Sequence, residues 1–159
     1  MPVKDMQTIA VIERLAEHFQ SSINNSYVRT ALISMDLPPN TRLAMQPLTE
    51  KVESYKLHGY RFDELYSGII ALATYIYKVR KEVYPYLKNS LVGKASGDEK
   101  ILQLLAVDNL KTNMSVLADD ISDLYMRIVQ LDKDAHSVKA PVFERMPELQ
   151  SLGQLLTSD

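Results

Sequence analysis

The stretch from Tyr75 to Lys94 concentrates side chains that do chemistry with anions. Lys78, Arg80, Lys81, Lys88 and Lys94 supply five cations against a single acid, Glu82, and Tyr75, Tyr77, Tyr84 and Tyr86 are interleaved with them. Cations meet phosphates and rings stack on bases, so this composition suits a single-stranded nucleic acid. Lys78, Arg80, Lys81 and Lys88 are the candidate anion patch. A second demand falls on the same segment: Tyr77, Tyr84 and Tyr86 lie on rows that face a core, where a ring buries its body and keeps its hydroxyl wet. The segment that follows, Asp98 to Asp134, carries eight acids and four bases and opposes the patch. Nucleic acid therefore ranks behind protein as the expected partner.

Other chemistry finds no residues. A di-iron bundle needs Glu-x-x-His, which places a carboxylate and an imidazole one turn apart on one helix face. Three residues after each of the nine glutamates (13, 17, 50, 53, 64, 82, 99, 144 and 148) there is no histidine. Glu50 with Glu53, and Asp119 with Asp123, have the spacing to hold a hard cation, but they read more simply as solvated acidic faces. Gly93-Lys94 lacks the upstream glycine of a phosphate loop, and no Gly-x-Gly-x-x-Gly occurs. His18, His58 and His136 stand near three different helix ends or edges with no nucleophile beside them. With no cysteine there is no disulfide, thiolate zinc site or Cys nucleophile. No catalytic, cofactor-binding or metal-binding residue is assigned, and the chain is expected to be non-enzymatic.

The elements that position these residues follow from punctuation. Five glycines and seven prolines in 159 residues make few turns, and none falls between Asp98 and Ala140. An uninterrupted run of that length is far beyond a strand of about 5–6 residues. Within it Val107, Leu110, Met114, Leu117, Ile121, Leu124, Ile128, Leu131 and Ala135 alternate at spacings of three and four, a heptad seam. Ile101, Leu102, Leu104 and Leu105 add apolar surface beyond that seam. Asp98 is the expected N-cap.

Upstream, Phe62, Leu65, Ile69, Leu72, Ile76, Val79, Val83 and Tyr86 form one row, with Tyr66, Ile70, Ala73, Tyr77, Tyr84, Leu87 and Leu91 beside it. Two adjacent rows touch two neighbours, which makes this the central helix. Pro85 predicts a kink or break near Tyr84. The short Gly93–Gly97 connection predicts an antiparallel pair. The fold class is all-α: an elongated bundle of three long helices (about 5–36, 62–92 and 98–135) with short helices near 47–58 and 147–157. Asn24-Asn25-Ser26 is a point where the first helix ends or is interrupted.

Two parts are expected: residues 1–136 as the bundle, and 137–159 as a linker with a short amphipathic C-terminal helix. Net charge is −2, which argues against a general polyanion-coating role. The longest uncharged apolar run, Leu65 to Tyr77, spans 13 residues, short of the ~18–20 that cross a bilayer. A cytoplasmic protein with no membrane contact is expected. The functional expectation is an adaptor, small chaperone or assembly subunit that binds a protein partner or itself as a homodimer. Its contact residues would be Ile121, Leu124, Tyr125, Ile128 and Leu131 on the lower half of the last long helix, and Leu152, Leu155 and Leu156 in the tail. A pocket between helices, lined by tyrosines and methionines, is the enzymatic or ligand-binding alternative.

Overall fold

The computed structural model describes residues 6–22, 25–37, 57–91, 96–136 and 140–157. Among them there is no strand, only an isolated bridge at Tyr60, and the helices are α1 (Met6–Ser22), α2 (Ser26–Ser34), α3 (Phe62–Lys78) with its continuation to residue 91, α4 (Gly97–Ala135), and α5 (Leu152–Thr157) after two 3₁₀ turns, Val142–Arg145 and Pro147–Ser151. The all-α class is as the spacing predicts, and no described helix is long and apolar enough to cross a membrane. The expected short helix at 47–58 lies outside the described residues except for its end, where Leu57 and His58 are helical and Gly59 turns the chain at φ +78°.

The first expected helix is two. Asn25 adopts an extended backbone, and its side-chain oxygen accepts from the Tyr27 N–H at 2.9 Å and the Val28 N–H at 3.4 Å. Asparagine competes well for these first free amides, so a new helix starts there. Ile9, Ile12 and Leu15 of α1, and Val28, Ala31 and Leu32 of α2, are buried in the common core. α1 lies mainly along α4, while α2 meets α4 and the far end of the α3 rod.

α4 is one helix of 39 residues, about 58 Å at 1.5 Å per residue. Its seam is buried from Val107 through Leu110, Met114, Leu117, Ile121 and Leu124 to Ile128. Ser96 occupies the N-cap position without a side-chain cap, and Asp98 falls in the first turn. The expected cap is thus displaced by two residues, and Asp98 acts on the helix dipole instead.

α3 runs antiparallel to α4. Tyr66, near its start, contacts Tyr125 and Asp132, and Tyr84, near its far end, contacts Leu110 and Lys111. Phe62, Leu65, Ile69, Leu72, Ile76, Val79 and Val83 are all buried, as their spacing predicts. Pro85 does not break the rod. α3 continues through a π-helical turn (Val79–Val83), an α-turn (Tyr84–Tyr86) and a second π-turn (Leu87–Leu91). The Tyr84 N–H bonds to the Val79 carbonyl five residues back, and the wider turn accommodates a proline that cannot bond four back. The buried row consequently steps from Val83 to Leu87, and Tyr86, expected on that row, is only half-buried.

The described part of the tail docks in cis. Leu149, Leu152 and Leu156 join the same buried cluster as Ile9, Ile69 and Ile121, and α5 packs on α3.

Candidate functional site

The residues expected to meet a partner are placed mostly inside. Ile121, Leu124 and Ile128 are fully buried under α1 and α3, and Leu152 and Leu156 are buried on α3. Tyr125, Leu131 and Leu155 are half-buried and pack against the same core. For the five buried residues, Ile121, Leu124, Ile128, Leu152 and Leu156, the expected contact role is corrected: the chain uses them to hold itself together.

The lower end of α4 is closed by a polar node that sequence reading does not reveal. Asp132 is fully buried. Its Oδ2 accepts from the Tyr66 hydroxyl at 2.7 Å and the Phe143 N–H at 3.0 Å, and its Oδ1 accepts from the Val142 N–H at 3.0 Å. His136 Nδ1 lies 2.9 Å from the same Oδ1. A buried carboxylate needs this many donors to be tolerated, and these ones tie three distant stretches together. Burial and the adjoining Asp132 carboxylate hold the Tyr66 phenol far above its ordinary range, so it stays a proton donor. The Lys133 ammonium over the Phe143 ring and the edge contact of Phe62 with His136 surround the node.

The four residues of the candidate anion patch do not form one surface. Arg80 is only 8% exposed and donates through Nη1 to the Leu156 carbonyl. Lys81 lies over the Tyr77 ring at 5.8 Å, and Lys78 is exposed. Arg80 and Lys88 meet instead in a cleft of about 700 Å³ between the far end of α3 and the upper half of α4, lined by Tyr84, Pro85, Asn89, Val107, Lys111 and Ser115 as well. Lys111 comes from another helix, so linear sequence gives no sign that it joins the set. Among the described residues there is no group of three acidic, histidine or cysteine side chains that could hold a metal.

At the upper end of α4 the polarity of the helix is inverted. Gln103, Ala106 and Val107 face inward, while Ile101, Leu102, Leu104 and Leu105 are 57%, 56%, 44% and 53% exposed. Gln103 Nε2 reaches Glu99 at 3.5 Å, and its buried Oε1 has no hydrogen-bond partner among the described residues. Helical register forces this arrangement: positions 103, 106, 107 and 110 share one face, so 101, 102, 104 and 105 must turn away. No family model, curated protein or solved structure matches the chain.

Proposed function

We propose that the protein is a non-enzymatic protein–protein interaction module, an adaptor, small chaperone or assembly subunit, and that it engages its partner through the upper end of α4. The observation that supports this is the inverted face. Single exposed leucines are ordinary, but four adjacent aliphatics turned outward over a buried, incompletely bonded glutamine are not. A partner that covers Ile101, Leu102, Leu104 and Leu105 would remove from water the largest apolar side chains in that part of the helix. Self-pairing is the simplest case, because a twofold contact needs only one self-complementary patch. The same reading sets the protein in the cytoplasm, where a cysteine-free chain loses nothing.

The test is a photo-crosslinking residue placed at Leu102 in the full chain, expressed in its native host, with Asp119 on the exposed face further down α4 as the control site. A discrete adduct from position 102 and none from 119 is expected. An adduct at twice 18.1 kDa identifies the homodimer, and another mass identifies a different protein. Equal or absent crosslinking at both positions refutes the proposal.

A further inference from the structure

The cleft between the far end of α3 and α4 gathers Arg80, Lys88 and Lys111, and among the described residues no carboxylate lines it. This runs against the rest of the chain, which is net negative, and against α4 itself, where acids outnumber bases two to one between Asp98 and Asp134. Arg80 sharpens the anomaly. The residue is more than nine-tenths buried, one N–H goes to the neutral carbonyl of Leu156, and among the described residues it has no ion pair. An arginine cannot shed its charge, and a buried charge without a counter-charge is expensive. The smaller cleft at the other end of the molecule behaves differently: there Arg61 is paired with Asp63 at 3.1 Å. In the larger cleft no matching anion stands among the described residues.

The remaining walls describe what would bring that anion. Tyr84, Pro85 and Val107 offer an aromatic and aliphatic surface, Asn89 and Ser115 offer neutral hydrogen-bonding groups, and Lys111 is held over the Tyr84 ring at 5.8 Å. About 700 Å³ falls within the ~300–1,000 Å³ of small-molecule sites and fits one compact ligand, not a strand. Lys78 and Lys81, which a nucleic acid would need to extend the track, do not line it.

We propose that this cleft binds a small phosphate ester, its phosphate among Arg80, Lys88 and Lys111 and its organic part on Tyr84, Pro85 and Val107. Arginine matches phosphate oxygens in a planar fork, and the two lysines add point charges.

Isothermal titration of the full-length protein with inorganic pyrophosphate, adenosine 5′-monophosphate and adenosine tests this. Pyrophosphate and the monophosphate are expected to bind one per chain with affinity that falls as salt rises, and adenosine is expected not to bind. Lys88→Ala/Lys111→Ala should weaken binding by about tenfold or more, while Lys78→Ala/Lys81→Ala should leave it within about twofold. Arg80 stays in place in these variants because its bond to Leu156 also holds α5. Melting curves that rise in sodium phosphate over sodium chloride of equal ionic strength, and do so only with Lys88 and Lys111 intact, give a second readout. No saturable binding of either phosphate probe, or binding that ignores the Lys88 and Lys111 replacements, overturns the proposal. Pyrophosphate binding without binding of the monophosphate overturns the assignment of the organic part.

Discussion

The two ends of α4 treat polarity in opposite ways. At the lower end an acid, Asp132, is fully buried and accepts from Tyr66, Val142 and Phe143, so α3, α4 and the tail are pinned at one point. At the upper end an amide, Gln103, is buried with its oxygen unbonded among the described residues, and four aliphatics face outward. Among the described residues, one end is finished and the other is not. A buried polar group stabilises only when its partners are complete, so the lower end sets the fold and the upper end leaves surface to spare.

The sharpest way to break this contrast is Asp132→Ala, which strands the Tyr66 hydroxyl and the Val142 and Phe143 amides. It should cost on the order of 3–5 kcal/mol in urea unfolding; a loss under about 1 kcal/mol would mean that the node holds nothing. Leu152→Ala probes the tail docked beside it, with an expected loss of about 2–4 kcal/mol by the same measurement and a cavity on α3.

Alkaline pH tests the phenols. Tyr66 and Tyr75 are both held above the ordinary value of 10.0, chiefly by burial. Above that pH the unfolded chain loses these protons while the folded one keeps them, so the stability they contribute is intact below pH ~10 and declines as pH rises beyond it. A urea midpoint that stays level from about pH 10 to 11.5 contradicts this.

The upper end should respond weakly and in the other direction. Gln103→Leu, which removes the unbonded oxygen, should stabilise by roughly 1 kcal/mol, and Leu102→Ser or Leu105→Ser should stay within about 0.5 kcal/mol in the isolated monomer. A large loss from either serine variant would show that these leucines belong to the core.

Much of this was legible in spacing. The α4 seam and the α3 row to Ile76 follow from helical period alone, and the surplus at Ile101–Leu105 stands out because it lies off the seam. Asp132 was not legible, since an acid beside Leu131 reads as solvent-facing until the tail amides that cover it are placed. Arg80 was hidden for the same reason: its partner is 76 residues away. The α3 row departs from its expected course only past Val83, at Tyr86, because periodicity assumes an even turn and the chain leaves it around Pro85. Long-range docking and local departures from regular helix are the two things that a single sequence does not announce.

The pair of wide turns in α3 has a consequence for how the chain can change. They act as a spacer on a threaded rod: everything beyond them is rotated without disturbing what comes before. Removing one residue from Val79–Val83 would return that turn to regular pitch and swing the turns after it by about 100°. Packing from Phe62 to Ile76 would survive, while Lys88 and Asn89 would be carried off the wall that they share with Lys111 and Ser115. A single-codon deletion could thus erase one surface and spare the scaffold.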